Sequence, residues 1–493
     1  MASSDSITPG AGIPAAVGFD PATRSWVTTP DVGMAGGDVD AVPPLDGTLH
    51  VDETTRREYS RDAGRYLSRI PQAVLRPGSV ADVQAMLRFC QRLRIPVATR
   101  GLANTTHGQG LVGGLLVDGR SLAGVRSVEA DRATAGAGTT WLELNRAAHE
   151  HGRTAPALTG YLGLTLGGTL SLGGIPPAFR TGAQVDSVLE LEVVTGAGEV
   201  LRCSAEHEPE LFDAVLAGLG QYGVITEATV RVVPTWQKVR GHELSYTSAE
   251  SLFADVRTLT RRGEASEIYG EWWRPGERGE VHHLSTFTFF NSDAPADDTH
   301  LLRELTRPSS DAQITENDYL PHVERIDDAV EMLRAVMDWD NLVKPWFTVW
   351  LPESQAQRYV TEVLAELEPA DVGDGGFVLM YVHQRSALTR PSLRLPDPDG
   401  SDWVYLFTLM TACPADAGAE YVAAMMRRNR RLFEHARGLG GVRYPIESVE
   451  FTQADWEQHY GDRWPHLVEL KRRHDPAGIL TPGPGVFTEL ADR

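Results

Sequence analysis

Two glycine-dense segments, about 60 residues apart, constrain this chain more than any other feature. The first is RGLANTTHGQG, Arg100 to Gly110, and the second is LTLGGTLSLGGI, Leu164 to Ile175. Glycine lets backbone N–H groups approach a ligand closely, and successive N–H groups in a turn form a nest that binds anions. Two such loops in one fold predict a ligand with two phosphates, and a dinucleotide such as FAD meets that demand.

Size and charge narrow the class of protein. A chain of 493 residues is too long for one simple core, so we expect two domains. Hydrophobic residues make up 42% and charged residues 23%, which is ordinary for a globular enzyme. The net charge of -21 argues against nucleic acid or an anionic membrane surface as a partner, because both require Lys and Arg.

The three cysteines, Cys90, Cys203 and Cys413, are far apart and form no Cys-x-x-Cys spacing. The sequence therefore predicts neither a metal site nor a disulfide framework. No basic region followed by an apolar run opens the sequence, and no segment reaches 18 consecutive apolar residues. We expect a cytoplasmic monomer or homodimer without a membrane anchor.

The organisation of the chain changes near residues 47 and 235. Residues 1–47 are rich in Gly, Pro, Ala, Ser and Asp, which predicts a flexible extension. From 48 to 235 strands and amphipathic helices alternate, with a hairpin over Val188–Thr195 and Glu199–Cys203. From 236 to 445 polar helices, at Arg325–Trp339 and Pro352–Leu367, accompany aromatic strand-like runs. This pattern predicts an antiparallel sheet covered by helices.

The segment GLGQYG, Gly218 to Gly223, matches the glycine fingerprint of a Rossmann NAD site. That fingerprint requires a strand before it and a helix after it. Here the helical pattern LFDAVLAG precedes the segment and the strand pattern GVITEATVRV follows it. We therefore interpret GLGQYG as a helix-to-strand turn, which in an FAD-binding protein would bring Gly223, Val224 and Ile225 against the flavin or the adenine.

These segments resemble flavoproteins of the vanillyl-alcohol-oxidase type, which have the PCMH-type FAD-binding domain, and most closely the cytokinin dehydrogenase branch. The matching stretches include PQAVLRPGSVADV, PVATRGLANTTHGQG, LTLGGTLSLGGI, LFDAVLAGLGQYGVITEATV and HDPAGILTPGPGVF. The resemblance implies an α+β, two-domain fold with an inserted antiparallel-sheet substrate domain covered by helices. Its expected parts are an FAD-binding domain at 48–235, a substrate-binding domain at 236–445 and a C-terminal return to the FAD-binding domain at 446–493.

The glycine pattern and the resemblance together give a set of expected FAD-binding residues. The first loop is expected to hold the pyrophosphate through its backbone, with Thr105 and Gln109 as side-chain donors, and the second loop to add three hydroxyl groups. The set comprises Arg100, Gly101, Leu102, Ala103, Asn104, Thr105, Gln109, Thr165, Gly167, Gly168, Thr169, Ser171, Gly174, Ile175, Gly223, Val224 and Ile225.

Two departures from the cytokinin dehydrogenase pattern alter what the resemblance implies. Where those enzymes have a histidine bonded to the flavin, this chain has Asn104, whose amide nitrogen is not nucleophilic. No cysteine lies near Tyr161–Leu164, where bicovalent relatives have a second anchor, so we expect noncovalent FAD, with His107 as the alternative anchor. Where those enzymes have a catalytic aspartate before the Tyr-Leu pair, this chain has Gly160.

Another group must then accept the substrate proton. The candidate catalytic residues are Tyr161, Glu271, Tyr381 and His383. Glu271 lies in YGEWW and resembles a substrate-facing glutamate of the family, and His383 lies in the strand-like run VLMYVHQ.

The sequence thus predicts an FAD-dependent oxidoreductase, an oxidase or dehydrogenase, that takes hydride from an activated C–H bond of a small organic substrate. The reduced flavin would pass its electrons to oxygen or another acceptor, and a secondary-metabolite tailoring step is the expected context. Two alternatives stay open. The flavin could be structural in a non-redox cyclase or lyase, or the chain could bind a small molecule without catalysis.

Overall fold

The computed structural model describes residues 16–28, 38–273, 282–307 and 309–491. Within these ranges the chain forms five β-sheets with helices packed around them, which confirms the α+β expectation. None of the described helices is both long and apolar enough to cross a membrane.

The strands of these residues are numbered in chain order. They are β1 (Ala16–Asp20), β2 (Ser25–Thr28), β3 (Asp40–Ala41), β4 (Thr48–His50), β5 (Ala73–Arg76), β6 (Val97–Arg100), β7 (Leu115–Asp118), β8 (Val125–Val128), β9 (Arg132–Gly136), β10 (Arg153–Thr154), β11 (Val188–Thr195), β12 (Val200–Ser204), β13 (Gly223–Arg231), β14 (Val233–Pro234), β15 (Lys238–Tyr246), β16 (Glu267–Trp272), β17 (His282–Phe290), β18 (Gln313–Asp318), β19 (Phe347–Pro352), β20 (Phe377–Gln384), β21 (Trp403–Met410) and β22 (Val442–Arg443).

The α-helices are numbered in the same way. They are α1 (Glu53–Glu58), α2 (Val80–Leu93), α3 (Trp141–Glu150), α4 (Leu166–Leu170), α5 (Pro209–Val215), α6 (Ala249–Arg262), α7 (Asp298–Leu301), α8 (Tyr319–Met337), α9 (Glu353–Glu366), α10 (Pro369–Val372), α11 (Ala419–Gly438), α12 (Gln453–Tyr460), α13 (Trp464–His474) and α14 (Thr488–Ala491).

A four-stranded sheet, in the order β4-β5-β7-β6, supports the first glycine loop. Strands β5 and β6 both pair in parallel with β7, and the loop begins directly after β6. Helix α2 begins where the Ser79 side chain accepts a hydrogen bond from the Asp82 N–H, and it buries Val83, Leu87 and Cys90 at helical spacing. This packing fixes the end of β6 and therefore the start of the loop.

A five-stranded antiparallel sheet, in the order β12-β11-β13-β9-β8, lies beside the second glycine segment. Strands β11 and β12 form the predicted hairpin, in which Leu191 pairs with Cys203. The GLGQYG turn lies between α5 and β13, as the sequence predicted. A helix before the turn and a strand after it are the reverse of a Rossmann site.

The aromatic runs form an eight-stranded sheet, in the order β18-β15-β17-β16-β20-β21-β19-β22, whose described pairings are antiparallel. Because side chains alternate along a strand, the sheet has two faces. The outer face buries residues such as Trp272 and Phe407 against α6, α9 and α11. The inner face, with Phe287, Trp350 and Leu406, joins the core cluster of the preceding half of the chain.

The described parts of the N-terminal segment, residues 16–28 and 38–47, are folded, whereas the composition predicted a flexible extension. Strands β1, β2 and β3 form a small sheet, and the Phe19 side chain is fully buried. The Phe19 ring packs edge-on against Trp26, which stacks on Phe89 of α2 at 5.8 Å. The composition of this segment did not indicate that the Phe19 and Trp26 side chains pack against the core.

Two further predictions need new bounds. Helix α8 begins at Tyr319 rather than at Arg325, and it ends at Met337. The second glycine segment is not a loop throughout, because its residues Leu166 to Leu170 form the short helix α4.

A buried ion pair attaches the C-terminal segment to the GLGQYG turn. The Lys471 ammonium group of α13 lies 2.8 Å from the Asp475 carboxylate, and both side chains are almost fully buried. Lys471 Nζ also donates to the carbonyl oxygens of Gln221 and Leu480, while Asp475 accepts from the Ile479 and Leu480 N–H groups. The pair therefore joins three segments of the chain in one polar network.

We predict that Lys471→Met lowers the free energy of unfolding by about 3–5 kcal/mol, because it leaves the buried Asp475 carboxylate without its cation. Arg473→Met is the matched control on the same helix, since the half-exposed Arg473 pairs only with surface carboxylates and should cost at most about 1 kcal/mol. Denaturant unfolding of both variants measures the difference. Equal losses would contradict the role assigned to the buried pair.

Candidate functional site

The two glycine segments touch each other. A Cβ built on Gly101 would lie 2.1 Å from Thr165 Oγ1, and a Cβ built on Gly168 would lie 3.0 Å from the same oxygen. The Thr165 side chain thus occupies the space that a side chain at Gly101 would need. The first loop and the start of α4 therefore form one continuous surface.

The first loop exposes a run of unused backbone donors. Within the described residues, the N–H groups of Leu102, Ala103, Asn104 and Thr105 donate to no acceptor. Ala103 adopts a left-handed conformation with φ of 52°, which L-residues rarely adopt without a reason. A left-handed residue within a run of free N–H groups is the geometry of an anion nest, so this loop fits a pyrophosphate.

Buried groups beneath the loop hold it in this shape. The Asp62 carboxylate accepts hydrogen bonds from the Gly108 and Gly64 N–H groups. The neighbouring Ala63 N–H donates to the carbonyl oxygens of Ala103 and Thr105. Burial raises the pKa of Asp62 to about 6, against the opposing effect of those N–H donors. The loop is therefore supported from below while its upper N–H groups stay free.

Two first-loop side chains brace the structure. The Arg100 guanidinium donates to the carbonyl oxygens of Tyr59 and Arg61. Gln109 was expected to donate to the phosphates, but its Nε2 donates instead to the carbonyl oxygens of Pro445 and Glu447, each at 3.2 Å. The side chain of Gln109 therefore attaches the loop to the C-terminal part of the chain.

The second segment needs a similar correction. The Thr169 hydroxyl donates to the Leu166 carbonyl and accepts from the Trp141 indole, and the Ser171 hydroxyl donates to the Gly167 carbonyl at 2.7 Å. Both hydroxyl protons are used inside α4 and its first following residue. Of the three expected hydroxyl donors, only Thr165 makes no hydrogen bond to a described residue.

The remaining expected cofactor residues lie in tightly packed backbone. A Cβ built on Gly174 would lie 2.1 Å from Gln184 Oε1, and one built on Gly223 would lie 2.3 Å from Val193 Cγ1. Val224 and Ile225 follow at the start of β13, and Ile175 is also buried. No described contact tests whether these residues reach the cofactor, so that part stays a prediction.

The two candidate anchors in the first loop differ in their surroundings. The Asn104 carboxamide makes no hydrogen bond to a described residue. His107 Nδ1 lies 2.9 Å from the Tyr66 hydroxyl, and burial lowers the pKa of His107 to about 4. The imidazole at 107 is therefore neutral at neutral pH and already held by a tyrosine.

Three of the four candidate catalytic residues lie on the inner face of the eight-stranded sheet. Tyr381 pairs with Tyr269 across β20 and β16, and Glu271 follows Tyr269 by two residues. His383 follows Tyr381 by two residues, so these three candidates and Tyr269 have their side chains on one face. The sequence could have identified Tyr269 by the same period of two in YGEWW.

Glu271 has the electrostatics of a proton acceptor. Burial and the nearby Glu243 carboxylate together raise its pKa to about 7, against the opposing effect of the Arg325 guanidinium. A carboxyl group with a pKa near the working pH can both accept and release a proton.

His383 is unusual in another way. Both ring nitrogens are buried without a hydrogen-bond partner in the described residues, and burial lowers the pKa of His383 to about 3. Its ring makes edge contacts with Trp350 at 5.6 Å and Tyr381 at 6.2 Å. These surroundings suit a neutral hydrogen-bonding group and disfavour a proton-accepting base.

An ion network missed by the sequence reasoning crosses this face from α8. Arg325 Nη2 lies 3.2 Å from the buried Glu267 carboxylate, and His322 Nε2 lies 3.1 Å from the same oxygen. The guanidinium also reaches the Tyr269 hydroxyl at 3.4 Å. Burial raises the pKa of Glu267, but Arg325 and His322 together outweigh that effect, so the pKa is lowered. Glu267 is therefore committed to Arg325, whereas Glu271 is not.

Helix α8 brings the inner face against the segment around Gly160. A Cβ built on Gly160 would lie 3.6 Å from Ile326 Cγ1 and 3.8 Å from Tyr381 Oη, with no other atom within 4 Å. The Asp327 carboxylate accepts from the Leu162 N–H, and Arg334 interacts with the hydroxyl of the fourth candidate, Tyr161. Gly160 and Tyr381 thus meet at one corner, which Tyr161 flanks.

A chain of aromatic contacts connects this corner with the second glycine segment. The Gly174 N–H donates to the Tyr444 hydroxyl, and the Tyr444 ring lies 6.3 Å from that of Trp350. Trp350 in turn contacts His383. The candidate cofactor surface and the candidate substrate surface therefore belong to one packed unit. Among the residues described, no group of His, Cys, Asp or Glu side chains is arranged to hold a metal ion.

Comparisons with known proteins agree with this geometry. A family model described as an FAD binding domain matches residues 71–204, and a model described as "Cytokinin dehydrogenase 1, FAD and cytokinin binding" matches residues 289–487. The matched ranges contain both glycine segments and the strands that carry Tyr381 and His383.

Whole-chain relatives extend the likeness. An "Uncharacterized oxidoreductase ORF5 in fasciation locus" of Rhodococcoides fascians is 33% identical over 442 residues, which cover 89% of this chain and 99% of the relative. Cytokinin dehydrogenase 6 of Oryza sativa subsp. japonica is 30% identical over 492 residues, covering 90% and 92% respectively. The chain therefore belongs to the family of FAD-dependent oxidoreductases that includes the cytokinin dehydrogenases.

Proposed function

We propose that this oxidoreductase binds FAD noncovalently and oxidises a small organic molecule at an activated C–H bond, as a tailoring step in secondary metabolism. The position and the raised pKa of Glu271 are the observation that carries the proposal. Glu271 is a partly buried carboxyl group with a pKa near 7, on the sheet face that packs against the half of the chain bearing the glycine segments. The electron acceptor is oxygen or another oxidant.

The first loop is the proposed holder of the cofactor pyrophosphate. The free N–H groups of Leu102 to Thr105 supply the donors, and Thr165 supplies a hydroxyl at the joint between the two segments. The exposed Leu102 side chain offers an apolar surface beside these donors. Bound FAD supplies a two-electron acceptor for the substrate hydride.

The inner sheet face is the proposed substrate side, within the proposed substrate-binding domain at 236–445. Glu271 accepts the proton that the substrate releases. His383 and Tyr381 hydrogen-bond to the substrate and remain neutral. The Arg325–Glu267 pair fixes Tyr269 beside them. Asn104 cannot form a covalent bond to the flavin, which supports noncovalent attachment. Three free cysteines, Cys90, Cys203 and Cys413, support our proposal of a cytoplasmic location.

The fit between the two glycine segments is testable by adding one methyl group. Gly101→Ala places a Cβ against Thr165 Oγ1 and should weaken FAD binding about tenfold or more, because overpacking costs about 1–3 kcal/mol. Gly113→Ala is the control, since a Cβ there would meet no atom within 4 Å. Reconstitution of apoprotein with FAD measures both dissociation constants. An unchanged dissociation constant for FAD in Gly101→Ala would refute the proposed FAD site at the contact between the two glycine segments.

Acid precipitation tests the attachment of the flavin. We expect the flavin colour in the supernatant for the unmodified protein and for His107→Ala alike, since no covalent bond holds it. If the colour stayed in the pellet of the unmodified protein but moved to the supernatant in His107→Ala, His107 would be the covalent anchor. A colourless protein that takes up no added FAD would overturn the proposed function itself.

Glu271→Gln should lower the rate of anaerobic flavin reduction by about 10²–10⁴-fold, because a general base contributes about that much. With Glu271 present, the rate should fall as the pH drops through about 7, since the carboxylate form is the acceptor. Glu243→Gln is the matched variant. It should keep the maximal rate but shift the pH at which the rate falls to a lower value, because Glu243 raises the pKa of Glu271. If the rate of flavin reduction in Glu271→Gln still fell as the pH dropped through about 7, the proton acceptor would be another group.

A further inference from the structure

We propose that Lys344 is a positioning residue for the cofactor, and that the charge on its ammonium group strengthens FAD binding by holding the first glycine loop in place. Lys344 lies between α8 and β19, outside both glycine segments. The inference rests on the proposed function, because it takes the first loop to be the FAD site. It adds a group, in the part of the chain that carries the eight-stranded sheet, on which cofactor binding depends.

The Lys344 side chain is buried although it ends in a cation. Only 2% of the residue is exposed, and Nζ donates to the carbonyl oxygens of Ala63 at 3.3 Å and Leu342 at 3.0 Å. The centre of the Trp339 ring lies 5.0 Å from Nζ, a distance typical of a cation–π contact. Because burying a cation is costly unless it has such partners, these contacts stabilise the charged form of the side chain.

A turn at Ala63 and Gly64 lies between Lys344 and the first loop. On one side, Lys344 donates to the Ala63 carbonyl through Nζ and to the Gly64 carbonyl through its backbone N–H, the latter at 3.1 Å. On the other side, the Ala63 N–H donates to the carbonyl oxygens of Ala103 and Thr105, at 2.9 and 3.1 Å. A shift of Ala63 would therefore move the residues of the loop that carry the free N–H groups.

The Lys344 ammonium group loses its proton more readily than that of an ordinary lysine. Burial lowers the pKa of Lys344 to about 8, and Arg65 acts in the same direction, against the effect of three carboxylates. These carboxylates are those of Asp340, Asp62 and Asp338.

The neutral amine donates weaker hydrogen bonds to the same carbonyl groups, so loss of the proton loosens the turn at Ala63. A cation beneath the loop also favours the negative charge of a pyrophosphate. Bound FAD must in return raise the pKa of Lys344. The tighter binding is therefore complete below about pH 8 and is lost as the pH rises through the higher pKa of the FAD-bound state.

Replacing Lys344 with methionine keeps an unbranched side chain and removes the charge. We expect Lys344→Met to weaken FAD binding about tenfold at pH 7, since a hydrogen bond to a charged group contributes about that much. Lys238→Met is the matched control and should leave the affinity unchanged, because Lys238 pairs with Asp318 at the surface. The dissociation constant is measured on the holoenzyme, from the fluorescence of the FAD released on dilution.

A pH profile separates the effect of charge from a loss of packing. FAD binding by the unmodified protein and by Lys238→Met should weaken about fivefold between pH 7 and pH 9, as linkage to a pKa of about 8 requires. Lys344→Met has no proton to lose at this position, so its dissociation constant should be the same at both pH values. The profile of the unmodified protein tests the inference even if Lys344→Met does not fold.

Three results would each overturn the inference: unchanged FAD affinity in Lys344→Met at pH 7, equal affinities of the unmodified protein at pH 7 and pH 9, or a pH dependence that persists in Lys344→Met. In each of these cases the unmodified protein still binds FAD, so the proposed function stands. An unmodified protein that binds no FAD at either pH would instead contradict the proposed function, and this inference with it.

Discussion

The candidate cofactor surface depends on backbone N–H groups that make no hydrogen bond to described residues. Four successive amides, from Leu102 to Thr105, donate to nothing described, and a loop cannot hold that arrangement by its own hydrogen bonds. The support comes from outside the loop: the Asp62 carboxylate, the Ala63 N–H and the Thr165 side chain each fix one part of it. Asp62 can support the loop only because it is buried beneath it, and Thr165 can contact the loop only because residue 101 has no side chain.

The eight-stranded sheet provides the candidate substrate surface. Its outer face is sealed by α6, α9 and α11, which leaves the inner face free to carry polar groups in an apolar setting. Burial there raises the pKa of Glu271 and lowers that of His383, so two titratable groups on one face are driven to different protonation behaviour. Environments that separate pKa values in this way are how a fold assigns acid–base roles.

Much of this architecture was readable in the sequence, because glycine loops, capping residues and period-two aromatic runs are local signals. The hairpin over β11 and β12, the orientation of the GLGQYG turn and the covered antiparallel sheet all follow from such signals. The destinations of side chains do not. Gln109 looks like a ligand donor in the sequence, yet its carboxamide donates to the Pro445 carbonyl, 336 residues away in the chain. Ser171 also looks like a donor, but its hydroxyl bonds back to the Gly167 carbonyl in a short helix that the glycine-rich sequence did not indicate. The Arg325–Glu267 pair joins elements 58 residues apart, beyond any local pattern.

The attachment of the first loop to residues 445–448 has a consequence for how the protein matures. Ser448 Oγ donates to the Thr106 carbonyl across 342 residues of chain, and the Gln109 carboxamide reaches the same segment. During synthesis the loop emerges long before these partners exist, and contacts of such separation form late in folding. The first loop therefore reaches its final set of contacts only after the C-terminal part of the chain has returned to it, and a chain that ends before residue 445 lacks the partners of Thr106 and Gln109.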